Sequence, residues 1–177
     1  PPGMALSSGM ALVLLGNDAD LDTAMGGSRW AWEIGGCKDG RLPEFDLDQA
    51  VRTASFVASL VQEGHCRAVH DIGEGGIGVA VAEMAIAGRI GIRVFGYDDH
   101  VSMFNEAGGR VLVGIGLSEI DELLKKAESA RIPARKIGES GGSVVQFGEA
   151  KPMPVASLET AARRQLRDAL GRGTVNS

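Results

Sequence analysis

The chain has 177 residues, 44% apolar and 23% charged, with 18 basic against 23 acidic side chains. That length holds one domain, or one domain with an appendage, and buries about two thirds of its unfolded surface without needing a disulfide or a metal. The acidic balance, with no Lys/Arg-rich stretch, argues against nucleic acid as a partner, because phosphate neutralisation supplies most of that affinity. No apolar run approaches the roughly 18 residues of a membrane span, and no basic-then-apolar leader is present, so no membrane partner is expected. Two cysteines without a C-x-x-C spacing, Cys37 and Cys66, fit a reduced, cytoplasmic protein. Glycine is the anomaly: 26 residues, about twice the usual ~7%, with only 6 prolines and no three-residue period. Some of these glycines must lie where backbone comes close to something else.

In chain order, Ala11–Leu15 reads as a strand ended by Gly16 and Asn17, and 17–43 as a loop. A helix is predicted over about Asp48–Glu63, with Val51, Ala54, Val57 and Leu60–Val61 on its apolar face and Gly64 as its C′ residue. A strand over Ala68–Ile72, a glycine-rich turn over Gly73–Gly78 and a nearly all-apolar helix over Val79–Ala87 follow. Strands are predicted at Ile92–Phe95 and Arg110–Gly116, separated by a polar segment containing Met103–Glu106. Ser118 and Asp121 approximate a capping box opening a helix to about Arg131. Ala134–Gly138 and Ser143–Phe147 read as a terminal strand pair turned at Gly141-Gly142, and Pro152 and Pro154 as a linker before a last helix over Ser157–Leu170. The fold class expected is α+β: a mixed sheet flanked by helices, with a domain over 1–150 and a linker plus appended C-terminal helix over 151–177.

The sharpest local feature is HDIGEGGIG, His70–Gly78, where a strand ends and a helix begins. Free N–H groups at a helix start, with the positive end of its dipole, suit an anion, and glycines let it come close. Asp71, Glu74, Gly75 and Gly76 stand in this run, and His70 has the chemistry of a general base or of a proton donor to phosphate. The same letters suit a tight helix-packing turn with a hydrogen-bonded histidine. Gly73, Gly75 and Gly78 also satisfy G-x-G-x-x-G, with Asp98 and Asp99 about 20 residues on, as in a dinucleotide fingerprint. Against that, His70 and Asp71 stand where such a first strand is apolar. Gly26-Gly27-Ser28-Arg29 is a second candidate phosphate contact, or a loop crossing the sheet. Asp18, Asp20 and Asp22 start like a calcium loop, but Thr23 and Arg29 occupy its glycine and bidentate-glutamate positions, which leaves a solvated turn or a weak Mg²⁺ contact through a nucleotide phosphate. Asn105 and Glu106 complete the polar set; alone they would cap a helix or turn. No Ser or Cys stands in a nucleophile elbow, so covalent hydrolase chemistry is not expected.

Taken together, these segments resemble one family. HDIGEGGIGVAVAEMAIAG (70–88) resembles the HD-x-S-[DE]-GGL-x-VALAEMA run of the formylglycinamidine ribonucleotide synthetase family, also called phosphoribosylformylglycinamidine synthase. ALVLLG followed by GGSRW resembles its LLG…GGSEY, PEFDLDQ its PPxVDL, MFNE its LF[NS]E, and ARKIGESGGS the x-x-IGxVxG run near its end. Order and spacing agree from about Gly9 to Phe147. The related selenophosphate synthetase, thiamine-phosphate kinase and hydrogenase-maturation protein carry different residues around the glycines.

The resemblance implies a second C-terminal domain of the aminoimidazole ribonucleotide synthetase-like superfamily, part of an ATP-dependent ligase of purine biosynthesis that makes formylglycinamidine ribonucleotide with glutamine-derived ammonia. It implies ATP and Mg²⁺ for the parent enzyme, with neither assigned to this domain. As partners it implies preceding nucleotide-binding domains and, in the short form of the family, a glutaminase and a small accessory subunit. The family's catalytic groups belong to other domains, so no catalytic residue and no metal ligand is assigned here, and the isolated domain is expected to be inactive. The phosphate or nucleotide-binding candidates are Gly26, Gly27, Ser28, His70, Asp71, Glu74, Gly75, Gly76, Asn105 and Glu106. Gly73 replaces the family's Ser and removes a hydroxyl from the turn, and Asn105-Glu106-Ala107 keeps the acid of an ESQ-type motif while losing the rest. The alternatives are a non-catalytic assembly domain and a dinucleotide-binding oxidoreductase fragment.

Overall fold

In the computed structural model, which describes residues 2–17 and 25–169, the first strand, β1 (Met10–Leu15), is buried along its whole length. Leu12 and Leu14 enter one apolar cluster while Ala11, Val13 and Leu15 enter another, the two-residue alternation of a strand covered on both faces. The remaining elements are α1 (Arg29–Gly35), α2 (Leu47–Gln62), β2 (Ala68–Asp71), α3 (Gly76–Gly88), β3 (Ile92–Val94), α4 (His100–Phe104), β4 (Val111–Gly116), α5 (Ile120–Ser129), β5 (Ala134–Ser140), β6 (Val144–Phe147), β7 (Met153–Pro154) and α6 (Val155–Ala169).

Among the described residues the strands form one seven-stranded mixed sheet in the order β2-β4-β1-β5-β3-β6-β7. Only β3 and β6 run parallel; the other neighbouring pairs are antiparallel. Helix α3 supplies Ile77, Ala80, Val81, Met84 and Ala85 to the cluster on one face. Leu60 of α2 and Leu123 and Ala127 of α5 belong to the cluster on the other. This is the α+β architecture expected. Pro154, lacking an N–H, lies in the two-residue strand at the sheet edge, where no further ladder bond is required of it.

The surroundings of β2 remove the dinucleotide reading. Among the described residues its one sheet neighbour is β4, antiparallel, and three strands separate it from β3. Asp99 is the N-cap of α4, not a strand-end ribose ligand: its Oδ1 accepts the Val101 and Ser102 N–H groups at 2.7 and 3.0 Å.

Other expectations are corrected locally. The 17–43 stretch contains helix α1, begun by Ser28, whose Oγ accepts the Ala31 N–H, and ended by Gly36 at φ +62°. Strands β5 and β6 are not a hairpin, because β3 lies between them and the Gly141-Gly142 turn wraps round its start, exchanging backbone hydrogen bonds with Gly91. Helix α5 is not opened by Ser118 and Asp121; a 3-10 turn over Leu117–Glu119 precedes it, and Glu119 accepts the Gly116 N–H at 2.9 Å. On α2, Val51 and Ala54 are exposed, and the buried side chains are Gln49, Thr53 and Leu60. Gly64 does end α2, with the Gly64 and His65 N–H groups returning to Val61 and Leu60 carbonyls.

Candidate functional site

The segments singled out in the sequence meet around residues 105–109. Gly16, ending β1, packs so closely on Gly109 that a side chain there would overlap the Gly109 carbonyl. The Phe45 ring, in the loop before α2, lies against Gly108, where a Cβ would stand 2.9 Å from it. The glycine turn before α3 closes from the other side: a Cβ on Gly76 would lie 2.5 Å from the Asn105 carbonyl and 2.7 Å from that of Met103. Gly76 has φ +64° and Gly75 φ +79°, so this turn needs glycine for conformation as well as for space.

Glu106 is the centre of this joint. Its Oε1 accepts the Gly75 N–H at 2.8 Å and the Arg29 N–H at 2.8 Å. Gly75 is the N-cap residue of α3 and Arg29 the first residue of α1, so one carboxylate satisfies donors at the starts of two helices. Arg29 adds a second tie, its guanidinium reaching Glu74 at 2.9 Å and Glu33 at 2.8 Å. These pairs hold the Arg29 charge above its ordinary range, the hydrogen bond to Glu74 most of all.

The backbone that presents Glu106 is fixed from beneath. Buried Arg110 donates through Nε to the Ala107 carbonyl at 2.9 Å and through Nη2 to the Asn105 carbonyl at 3.0 Å. Asn105, 2% exposed, ends α4 by donating from Nδ2 to the Val101 and Ser102 carbonyls. Its Oδ1 has no hydrogen-bond partner among the described residues.

Of the sequence candidates, Ser28, Glu74, Gly75, Gly76, Asn105 and Glu106 therefore converge. Ser28 is buried and spends its Oγ on capping α1. Gly26 packs on the Arg41 backbone and Gly27 on the Leu42 side chain. His70 and Asp71 belong to a different set: His70 Nε2 lies 2.7 Å from Glu83 of α3 and Nδ1 3.4 Å from Asp71. That histidine ties the end of β2 to α3. Asp18, Asp20 and Asp22 lie outside the described residues. The roles of Arg29 and Arg110 were not read as central. The only sequence signal for Arg110 is its place directly after the Gly108-Gly109 pair and directly before a strand.

As folded, the Glu106 carboxylate supplies the acceptor for the Gly75 N–H at the start of α3. Among the described residues no group of three or more His, Cys, Asp or Glu side chains is arranged to hold a metal, and no helix is long and apolar enough to cross a membrane.

The family described as AIR synthase related protein, C-terminal domain, matches residues 7–148. The chain belongs to this family. It is 38% identical over 156 residues to phosphoribosylformylglycinamidine synthase subunit PurL of Granulibacter bethesdensis, an alignment covering 88% of this chain and 21% of that protein. Its fold is similar to that of T. maritima PurL complexed with FGAR, with TM-score 0.74, 19% identity, and coverage of 89% of this chain and 29% of that one. The same PurL complexed with ATP gives TM-score 0.66 at 17% identity, covering 89% and 27%. For PurLQS from Thermotoga maritima the TM-score is 0.68 at 16% identity, also covering 89% and 27%. The chain thus spans about one fifth of the curated relative it matches.

The GGSRW, PEFDLDQ, GEGG and MFNE segments meet at residues 105–109. They are far apart along the chain and adjacent in the fold.

Proposed function

We propose that this chain is the second C-terminal-type domain, over 1–150 with the appendage 151–177, of a cytoplasmic phosphoribosylformylglycinamidine synthase. In the parent reaction ATP phosphorylates the amide oxygen of formylglycinamide ribonucleotide; ammonia from glutamine adds to that carbon and phosphate leaves, giving formylglycinamidine ribonucleotide, ADP and phosphate. The observation carrying this reading is the 38% identity to PurL over 88% of the chain, on a fold shared with PurL in complex with FGAR and with ATP.

Within that enzyme the domain acts through its shape. The glycine turn is closed by Glu106, and Gly73 lacks the hydroxyl that the family's Ser would bring. Phosphate and Mg²⁺ chemistry therefore falls to other domains, and no step is routed through this turn. Its outer surface offers apolar side chains for contact with them: Ile34, Leu42, Phe45, Leu47 and Val51 are each more than half exposed. Nucleotide-binding domains, a glutaminase and a small accessory subunit are the partners this reading implies, in keeping with the PurLQS assembly.

Fragment reconstitution tests it. The chain alone should show no ATP- and ammonia-dependent conversion of formylglycinamide ribonucleotide. Mixed with a PurL polypeptide lacking the matching fifth, it should restore turnover. A folded chain that never restores it, or that turns over alone, contradicts the proposal.

A further inference from the structure

The segment carrying α1 is built as a separable piece. Its ends meet: Gly26 packs against the Arg41 backbone, and a Cβ on Gly40 would lie 2.8 Å from Gly26 Cα. Residues 27–39 thus form a closed surface loop of the Ω type. Helix α1 satisfies its own termini, through the Ser28 side chain at the start and through the Gly36 and Cys37 N–H groups, which donate to the Trp32 and Ala31 carbonyls, at the end. Ser28 is the one buried residue of 27–39, and residues 32–39 are all exposed. The segment therefore brings no buried apolar side chain of its own to the core, a feature of regions with low local stability. Left-handed glycines flank the helix, Gly27 at φ +71° and Gly36 at φ +62°.

What ties α1 to the body of the domain is a short set of contacts. The Arg29 N–H meets Glu106, the Arg29 guanidinium meets Glu74, and the Trp30 ring stacks on His100 of α4 with centroids 4.4 Å apart and planes at 24°. We infer that residues 27–39 are a hinged lid over the glycine turn, with Glu106 as its latch. One carboxylate oxygen holds the lid through Arg29 and the turn through Gly75, so releasing it frees both together. Closed, the lid keeps Glu106 on the Gly75 N–H; open, it leaves that donor and the carboxylate accessible to a sister domain.

Both tryptophans of the chain, Trp30 and Trp32, lie on α1, so fluorescence excited selectively at tryptophan, away from the absorption of Tyr97, reports the lid. In a Trp32→Phe background, Glu106→Ala should raise acrylamide quenching of Trp30 at least about twofold, since loss of a charge-assisted bond shifts the opening strongly. Glu106→Gln, which keeps an oxygen acceptor, should stay close to the parent. His100→Ala touches neither Glu106 nor its donors. By removing the stack it should nonetheless speed hydrogen exchange of the Arg29 and Gly75 amides by about two- to tenfold, through an opening insensitive to low denaturant. Exchange of those two amides unchanged by His100→Ala, or reached only by the global unfolding that exposes β1, overturns the lid. Should Glu106→Ala not fold, the His100→Ala exchange decides alone.

Discussion

Two glycines of one turn, three residues apart, face opposite demands. A side chain on Gly76 would enter the left-handed region at φ +64° and press on the Asn105 and Met103 carbonyls, which are backbone and cannot swing away. Gly73 has no positive φ, and a Cβ there would meet only Asp71 Oδ2 at 3.9 Å. Gly76→Ala should therefore cost about 3 kcal/mol or more, strain and overlap adding. Gly73→Ser, restoring the family's residue, should stay within roughly 0.5 kcal/mol of the parent. Urea unfolding of the two variants checks both values. The glycine excess was legible as close backbone approach; which glycines face backbone was not, because Gly76 meets residues nearly thirty positions further on. Glu106 was legible as part of a polar set. Its two donors were hidden, since one of them, the Arg29 N–H, lies 77 residues away in the chain.

Among elements, those carried by their own periodicity or flanking signals came through, and those decided by distant strands did not. Strand β1 and helices α2 and α3 follow from local runs ended by glycine. Helix α1 is too short to show a period, although Ser28 before it and Gly36 after it are ordinary start and stop signals. The β5–β6 pair read as a hairpin because nothing local tells a reader that β3, from 40 residues earlier, inserts between them. On α2 Val51 is exposed and stands outside the core, so its period did not mark the buried face, which carries Gln49, Thr53 and Leu60.

Short α4 depends on its cap. Asp99 holds its carboxyl below the ordinary range, chiefly through the Ser102 N–H, with further help from the Ser102 hydroxyl, the Val101 N–H and nearby His100. A lowered folded value means that the contribution is present above the unfolded value near pH 4 and is lost as pH falls through the lowered one. Asp99→Ala should cost up to about 1 kcal/mol at pH 7, solvent screening keeping it from being larger. The gap between parent and variant melting temperatures should narrow as pH falls below about 4. A gap that persists undiminished at pH 2 would show that the carboxylate charge is not the cause.

At the scale of the whole molecule, the sheet order places the four family segments around residues 105–109 and leaves a nearby surface rich in exposed apolar side chains. The fold class and the family were readable in the sequence because the segments keep order and spacing across most of the chain. The closure of the turn was not: it is a relation between a carboxylate and two helix starts that only the assembled fold brings together. That closure is the central claim, and ligand-dependent melting of the isolated chain tests it most directly. With ATP, ADP or formylglycinamide ribonucleotide at millimolar concentration, against salt-matched controls, the melting temperature should not move. A ligand at about 100 times its Kd would add about 2.7 kcal/mol, or roughly 5–10 °C for a domain of this size. A dose-dependent rise of that order, abolished by a bulky substitution at Gly75, would contradict the closed turn and establish a phosphate site in this domain.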